Sequence, residues 1–362
     1  MSCNIKLISS IKEIEEIRLD WLSLEKKYPN KEYNFSIIYN WLLLFLNKDD
    51  ERFGFNKKIN ILVLYDSGLI QTIFPLIKVK RKYKRFIKYR SLEYIGQQYG
   101  AFSFDFIGNK AQKYISCILD WTKDNINYNL LNLSSQKEYQ LKQYNNSVFF
   151  CISAYPVIDI NRFSNYDSYN KEVYNSKIRY NIKSRKRKFE LDGGEIIKTN
   201  YENISGNDFE GILKVSSTKE DEDKRDHYAD KDKLKFEKKL LTIIDNQIII
   251  AKIEQKIVGY QISYIFDKNR VFNGLSYHRK YKKYGIGNLI DDYEIQSEDF
   301  NDIHTISMGS GLDSYKLNFN TSFEKIYNII SVNETFFSKL ISYFLFKKLK
   351  KINKQTLEKI SK

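Results

Sequence analysis

The sequence predicts a mixed α/β protein, of the α+β type, made of two domains. At 362 residues the chain is long for one hydrophobic core and suits two domains of about 150 to 180 residues each. Apolar runs without a helical period alternate along the chain with segments of helical period, so strands and helices are interleaved. A hydrophobic fraction of 42%, with 28 Tyr and 24 Phe, supplies enough apolar material for two packed interiors.

The N-terminal half predicts a sheet flanked by helices. A strand at 5–9 precedes an amphipathic helix at 11–22, and SIIYNWLLLFL at 36–46 is apolar on nearly all sides, which is typical of a buried helix. Asp66-Ser67-Gly68 is a hairpin turn signal between two apolar strands. Pro75, inside the second of these strands, indicates an edge or a bulge. Further predicted elements are a helix at 111–125 and strands at 129–133 and 147–155.

The middle of the chain carries a densely basic helix. Seven of the twelve residues from 177 to 188 are Lys or Arg, while Tyr174, Ile178 and Ile182 form an apolar seam. The pattern fits either a solvated helix between two domains or a surface for an anionic partner. The stretch 219–233 has mixed charge and almost no apolar residues, which predicts an exposed loop.

The most informative stretch runs from 270 to 296 and has the order strand, glycine turn, helix. It follows two hairpin strands at 248–253 and 257–266, and its own strand is at 271–277. After the loop KKYGIGN, one helix face is formed by Ile286, Leu289, Ile290 and Tyr293. The acidic residues of the helix are therefore expected to point away from the core; they are Asp291, Asp292 and Glu294.

This order suits a phosphate group, although the same short motif also occurs in plain turns. The first turn of a helix offers backbone N–H groups without intrahelical acceptors and a partial positive charge. Glycine lets the backbone approach a ligand closely, and lysines at the mouth add charge. The loop lacks the third Gly of a dinucleotide fingerprint and the Gly-Lys-Ser/Thr of a P-loop. The expected cofactor-binding residues are Lys282, Lys283, Tyr284, Gly285, Ile286, Gly287 and Asn288.

The spacing of this loop resembles the acyl-CoA pyrophosphate loop of the GNAT N-acyltransferases, which usually carry Gln or Arg where this chain has Lys282. The strand order before the loop is also similar to the centre of a GNAT domain. Over residues 10–335 the chain resembles the CelD-like acetyltransferases, a GNAT subgroup associated with surface polysaccharides. The residues that carry this resemblance are Trp21, Trp41, Phe74-Pro75-Leu76, Tyr94-Ile95-Gly96, Phe104-Asp105-Phe106, the basic helix, and a Gly-rich strand end at 309–311 followed by Tyr315-Lys316.

The resemblance implies a tandem GNAT-like fold with acetyl-CoA, or another acyl-CoA, as cosubstrate and no metal. It implies an N-terminal GNAT-like domain at 1–158, a C-terminal acyltransferase domain at 159–335 and a basic amphipathic helix at 336–362. In such a fold the thioester carbonyl lies where two parallel strands separate, here the strands at 273–277 and 303–308. The candidate catalytic residues at that cleft are His278, Tyr277, Tyr315 and Lys316, each of which also has an ordinary structural interpretation.

Composition restricts the partners only loosely. A formal charge of +15 favours anions such as CoA, nucleic acid or an anionic membrane, although the abundance of Lys, Ile, Asn and Tyr also points to the composition of the source genome. Cys3, Cys117 and Cys151 are too few and scattered for a disulfide framework or a zinc site, and the N-terminus has no apolar signal core. A cytoplasmic location is therefore expected.

The C-terminal tail predicts an amphipathic helix that either caps the core or lies on the inner face of a membrane. Its apolar run is too short to span a bilayer. The residues expected on its apolar side are Phe336, Phe337, Leu340, Ile341, Phe344 and Leu345, with lysines following.

Three functions are consistent with these patterns. The first is a CoA-dependent N-acyltransferase of the CelD-like type, which acetylates a small-molecule amine such as an amino sugar of a surface-polysaccharide precursor. The second is a Fem-type transferase that uses aminoacyl-tRNA and binds RNA through the basic helix, although the helical hairpin inserted in many Fem enzymes is not evident. The third is a non-catalytic scaffold that binds nucleic acid or a membrane, but no helix-turn-helix or zinc-finger signature supports nucleic acid.

Overall fold

The structure is a computed structural model of the chain. It describes residues 4–29, 32–49, 51, 53–83, 87–97, 103–138, 140, 144, 147–217, 230–298, 300, 302–309, 311–313 and 315–360. The chain forms two compact units, the first made of Met1–Ala154 and Glu324–Lys362 and the second of Tyr155–Phe323. Residues 324–335, which the sequence analysis grouped with the second domain, thus belong to the first unit.

The secondary structure follows the predicted order, with two long helices divided. The helix predicted at 11–22 is two helices, and Asn175 starts a new helix within the predicted basic one, where its side chain accepts a hydrogen bond from the Ile178 N–H. Residues 218–229, most of the predicted exposed loop, lie outside the described residues. The strands are β1 (Asn4–Ile8), β2 (Phe55–Asp66), β3 (Leu69–Tyr83), β4 (Ile87–Tyr94), β5 (Ile107–Gly108), β6 (Leu130–Lys137), β7 (Val148–Asp159), β8 (Gly194–Thr199), β9 (Asn246–Ile253), β10 (Lys256–Phe266), β11 (Asn269–Tyr277), β12 (Thr305–Ser307) and β13 (Ser322–Val332). The α-helices are α1 (Ile11–Glu16), α2 (Arg18–Lys27), α3 (Phe35–Phe45), α4 (Gln112–Asn125), α5 (Tyr166–Val173), α6 (Ser176–Leu191), α7 (Gly206–Ser217), α8 (Lys231–Ile243), α9 (Ile286–Gln296) and α10 (Phe336–Ile360).

The first unit is a mixed sheet in the order β1-β2-β3-β4-β6-β13, in which only the β4–β6 pair is parallel. Pro75 lies opposite Ile61 of β2, in a strand with neighbours on both sides, so the prediction of an edge strand was wrong. On its other side, β3 pairs with β5 up to Ile73 and with β4 from Leu76 onward. Pro75 lies between these two ladders, so the N–H group that proline lacks is not needed for a hydrogen bond to β4 or β5.

Two of the three cysteines are described. Cys117 is disulfide-bonded, which the sequence analysis did not expect, and Cys151 is a buried free thiol. A disulfide needs two Cα atoms within about 7 Å of each other. Spacing along the chain does not reveal that proximity.

One face of α10 packs against the rest of the first unit, and it differs from the face that the sequence predicted. Ile341 and Leu349 join Leu130, Phe150 and Ile330 in one core cluster. The side chain of Asn129 donates to Ser338 Oγ over 3.2 Å, and the Cys151 N–H donates to Asn353 Oδ1 over 2.7 Å. These bonds fix the rotation of the helix, which leaves Phe336, Phe337 and Leu340 exposed instead of placing all the predicted apolar residues inward.

The second unit is a sheet in the order β7-β12-β11-β10-β9-β8. β11 and β12 are parallel, as predicted, and their ladder joins Asn269, Arg270 and Val271 to Thr305, Ile306 and Ser307. β12 pairs on its other side with the end of β7. α9 follows β11 and packs between the strands β9 to β11 and the helix α6.

α9 is buried on nearly all sides, which corrects the prediction that its carboxylates point away from the core. Asp291, Asp292 and Glu294 are only 1%, 5% and 0% exposed. The face away from the sheet is covered by the α5–α6 region, where the Tyr166 and Tyr174 hydroxyls donate to Asp292 Oδ1 over 2.6 and 3.0 Å. The sequence showed a polar stripe but not the elements that cover it.

Glu294 is held by a buried cation. Arg270 Nη1 lies 3.3 Å from Glu294 Oε1 and also pairs with Glu298, while the Ser263 hydroxyl donates to Glu294 over 3.1 Å. Burial raises the pKa of Glu294 to about 7, and the Arg270 charge acts against that rise. One arginine of β11 therefore compensates two carboxylates at the C-terminal end of α9.

Replacing this arginine is expected to destabilise the protein strongly. Arg270→Met leaves the Glu294 carboxylate buried without its cation and leaves Glu298 with Lys198 alone, which costs about 3 to 5 kcal/mol. Urea unfolding followed by circular dichroism measures the loss. The exposed Lys268→Met on the same hairpin is the control, and Arg270→Met/Glu294→Gln/Glu298→Gln should recover much of the stability. Equal stability of Arg270→Met and Lys268→Met would contradict the assignment.

Candidate functional site

The predicted loop is a 3-10 turn followed by the start of α9. The turn Arg279–Tyr284 ends at Gly285, whose φ of 61° is left-handed and favours glycine. The Gly285 N–H donates to Lys282 O, and Gly285 O accepts from the Leu289 N–H at the first turn of α9. Its N-cap residue, Gly285, has no side chain with which to cap the helix. The N–H groups of the first turn, which have no intrahelical acceptor, are thus left for a ligand or solvent.

Buried residues anchor the loop. Tyr284 packs edge-on against Phe189 of α6 at 5.7 Å between ring centroids, and its hydroxyl donates to Asp192. Ile286 is fully buried and lies over Gly259 of β10, where an added Cβ would come within 2.5 Å of Ile286 Cγ2. Of the predicted cofactor-binding residues, Tyr284 and Ile286 thus face the interior.

Gly287 faces the strand that precedes the loop. A Cβ at this position would lie 3.5 Å from Leu275 Cδ2 and 3.6 Å from Tyr277 Cε1, which is ordinary van der Waals contact. Gly287 itself is buried, while Asn288 beside it is half-buried. The loop therefore brings the predicted catalytic residue Tyr277 beside the first turn of α9.

The basic helix supplies a cation at the loop that the sequence analysis did not assign there. A Cβ at Gly285 would lie 2.6 Å from Arg185 Nη1, so the guanidinium of Arg185 lies across the start of α9. Lys282 and Lys283 are exposed, and Lys283 Nζ lies 3.8 Å from Asp192 Oδ2. The apolar seam of the basic helix predicts which face packs against the core. It does not predict which of the cations contacts a loop 100 residues later in the chain.

His278 has a structural position in this loop. Its Nδ1 accepts a hydrogen bond of 3.4 Å from the Lys280 N–H at the start of the 3-10 turn. Its ring lies 5.8 Å from that of Tyr281, nearly perpendicular to it. The geometry thus makes His278 the cap of the turn.

The other candidate residues gather around a carboxylate that the sequence analysis expected to point away. Burial raises the pKa of Tyr315, and Asp291, Asp313 and Tyr277 each add to that rise. Burial lowers the pKa of Lys316, against the opposite pull of Asp313 and Asp291. Such mutual effects require proximity. Tyr277, Tyr315, Lys316 and Asp291 therefore lie near one another. Asp291 and Lys316 are buried and the two tyrosines are half-buried, and we call the four residues the buried group.

Asp291 is a fully buried acid within the buried group. Within the described part of the chain, neither of its carboxylate oxygens receives a hydrogen bond. Burial raises its pKa well above the usual range, and Glu294 adds to the rise while Lys316 opposes it. Asp291 lies four residues after Gly287, hence one turn further on the same side of α9. The sequence did contain a signal that an acidic residue of α9 is buried. Glu294 follows Ile290 by four residues and therefore lies on the apolar face of the helix.

Replacing Asp291 should change how stability depends on pH. A carboxyl group whose pKa is higher in the folded state costs stability as the pH rises above its unfolded value, near 4. The melting temperature of Asp291→Asn should therefore exceed that of the parent by a margin that grows between about pH 5 and pH 8, by roughly 2 to 4 °C per kcal/mol.

Thermal unfolding followed by circular dichroism at several pH values tests this prediction. The exposed Asp245→Asn serves as the control and should follow the parent curve. If Asp291→Asn also runs parallel to the parent at every pH, the carboxylate is not held in an unfavourable environment.

No protein-family model and no curated protein matches the sequence of this chain. Solved structures are similar to it. The C-terminal domain of a protein described as a lysylphosphatidylglycerol synthetase from Agrobacterium fabrum has a TM-score of 0.54 at 10% identity, over 91% of this chain and 95% of that one. L-PGS from Bacillus licheniformis has a TM-score of 0.53 at 14% identity, over 94% and 96%.

FemX has a TM-score of 0.53 at 9% identity, over 83% of this chain and 96% of that one. At such identities the likeness concerns the fold. It confirms the predicted fold class, a mixed α/β architecture similar to those of these three structures.

Proposed function

We propose that this protein is an N-acyltransferase that takes an acyl group, most simply acetyl, from acyl-CoA and passes it to the amine of a small molecule. The observation that carries the proposal is the uncapped start of α9, which is built on Gly285 and Gly287 and lies beside Arg185. Free backbone N–H groups, the positive end of a helix and a guanidinium together favour a pyrophosphate.

The residues around the loop support this ligand in different ways. Arg185 and the exposed Lys282 supply charge, and the first-turn N–H groups of Gly287 and Asn288 supply directed donors. Tyr284 and Ile286 are buried, so we assign them to holding the loop instead of contacting the ligand.

We assign the proton chemistry to the buried group. A CoA thioester supplies the activated acyl carbon. Lys316 in its neutral form, which burial favours, is suited to take the proton that the attacking amine loses as the C–N bond forms, the C–S bond breaks and the CoA thiolate leaves. Asp291 is the second candidate in its ionised form, because its raised pKa makes the carboxylate a stronger base. The ring of Tyr277 lies beside Gly287, and we assign its hydroxyl as the donor to the developing oxyanion. His278 caps a turn and receives no such role here.

The acceptor is proposed from the resemblance of the chain to the CelD-like acetyltransferases. That resemblance supports an amino sugar, or another amine of a surface-polysaccharide precursor, as the group that is acylated. The buried carboxyl group of Asp291 fits an amine acceptor, since its oxygens receive no hydrogen bond within the described residues and can accept one from the amine.

A side chain at Gly287 should weaken CoA binding while the fold survives. Gly287→Val places methyl groups against Leu275 and Tyr277, which shifts the first turn of α9 and moves its backbone donors away from the phosphates. Losing two phosphate hydrogen bonds of about 1.5 kcal/mol each predicts at least a tenfold higher dissociation constant. Titration calorimetry with acetyl-CoA measures the change, and circular dichroism confirms folding.

Gly206→Val is a matched control for this test. Gly206 also begins a helix of the second unit, no atom lies within 4 Å of its Cβ position, and Ser205 Oγ already accepts from the Asp208 N–H at that helix start. We expect Gly206→Val to bind CoA like the parent. A folded Gly287→Val with unchanged affinity would show that the loop is only a turn.

A second function, aminoacyl transfer from tRNA, has its own supporting observation in the exposed cations of α6. Arg179 is engaged in the fold, since it donates to backbone carbonyls at the end of α5, including that of Tyr174. Lys177, Lys183 and Arg187 are exposed. The similar structure described as a lysylphosphatidylglycerol synthetase supports a lysyl, that is an aminoacyl, group as the one transferred.

Arg185→Ala/Arg187→Ala tests that alternative. Removing two cations from an RNA surface should weaken tRNA binding at low salt by about tenfold and reduce the slope of log affinity against log salt by about one to two. Fluorescence anisotropy across a salt series measures both quantities. Lys347→Ala/Lys350→Ala removes the same charge from α10. Equal losses of tRNA affinity in the two double variants would show that tRNA is attracted by unspecific charge. That result would contradict aminoacyl-tRNA as the donor.

A further inference from the structure

The N-terminal part of the outer face of α10 carries large apolar side chains that are exposed to solvent. Across its first two turns, four of them form what we call the apolar row. Their exposed fractions are 84% for Phe336, 43% for Phe337, 41% for Leu340 and 65% for Tyr343. Residues spaced by four and then three positions share one side of a helix, so Phe336, Leu340 and Tyr343 are neighbours in space.

The apolar row differs from the other exposed apolar residues in being continuous. Leu19, Leu69 and Leu191 are 81%, 68% and 75% exposed, yet each is a single residue on a different element. Scattered exposed leucines are ordinary, whereas a continuous row of aromatic and aliphatic side chains indicates a binding surface.

Lysines continue the same side of α10 directly after the apolar row. The series 336, 340 and 343 extends at helical spacing to Lys347, Lys350 and Lys354, with Lys351 beside them. The helix holds seven lysines and one glutamate. Within the described residues, Lys347, Lys350 and Lys351 have no ion-pair partner, while Lys354 lies 3.9 Å from Glu358.

The inner face shows that this arrangement is built into the fold. Ser338, Ile341, Ser342, Leu349 and Thr356 are buried against the first unit. The hydrogen bonds to Ser338 and Asn353 at the two ends of the helix prevent it from turning its apolar row inward. The outer face is therefore presented in a fixed orientation.

We propose that the outer face of α10 docks on an anionic lipid bilayer, with the apolar row in the headgroup boundary and the lysines on the lipid phosphates. Aromatic and aliphatic side chains partition into that boundary, and lysines near it are attracted by anionic lipids. Among the described residues, no helix is long and apolar enough to cross a membrane, so the contact is peripheral. A second copy of the chain is a poorer occupant, because it would bring lysines against lysines.

Flotation of the full chain with vesicles tests the proposal. The probes are vesicles of phosphatidylcholine alone and with about one third phosphatidylglycerol. The parent should bind the anionic vesicles at least tenfold more tightly. Phe336→Ser/Phe337→Ser/Leu340→Ser/Tyr343→Ser and Lys347→Ser/Lys350→Ser/Lys351→Ser should each weaken that binding at least tenfold, with unchanged circular dichroism because only exposed side chains are altered.

Two control variants distinguish vesicle binding by this surface from unspecific hydrophobic adsorption and from unspecific charge attraction. Leu19→Ser/Leu69→Ser removes exposed apolar residues elsewhere on the first unit, and Lys80→Ser/Lys82→Ser/Lys88→Ser removes three exposed lysines from β3 and β4. Both should bind anionic vesicles like the parent. Equal loss in the controls and the α10 variants would overturn the proposal. So would a parent dimer, seen by analytical ultracentrifugation, that the apolar-row variant abolishes while vesicle binding stays unchanged.

Discussion

Burial of the three carboxylates of α9 is the constraint on which the second unit depends. A buried carboxylate is costly unless a cation or hydrogen-bond donors compensate it. Glu294 meets Arg270 of β11, and Asp292 meets the hydroxyls of Tyr166 and Tyr174. Turning or sliding the helix by one residue would separate these partners. The acidic residues therefore set the rotation and height of α9, and with them the position of its first turn at the end of β11.

The same rotation places the chemistry of the site. Gly287 and Asp291 lie on one side of the helix, a turn apart, with Tyr277 beside the first and Lys316 near the second. Asp291 is the carboxylate whose oxygens receive no hydrogen bond within the described residues. A group that the fold buries without compensation is a frequent mark of a functional site, because binding and proton transfer need an environment that stability alone would not select. The first turn proposed to bind an anion and the Asp291 carboxyl proposed to handle a proton are thus parts of one helix.

The positions of the lysines and arginines say more than their number. A charge of +15 chooses no partner, and part of it is placed where it opposes folding. Lys80 lies directly opposite Arg90, and Lys82 opposite Lys88, across the β3–β4 ladder, an arrangement of like charges that is mildly destabilising. Arg185, by contrast, lies against the start of α9. The contacts of each cation, and not the total charge, distinguish a like-charge pair on a ladder from a cation placed at a candidate site.

The sequence by itself determined the local order of the chain: the hairpins, the strand before the glycine turn, α9 after it, and the parallel partner β12. Such features follow from the period of apolar residues and from turn residues, which act over a few positions. Only the tertiary structure decided that the acidic side of α9 is covered, that Arg185 reaches Gly285, and that α10 turns its first phenylalanines outward. Each of these depends on a partner at least 90 residues away, and amphipathic patterns do not specify which distant element will cover a given face.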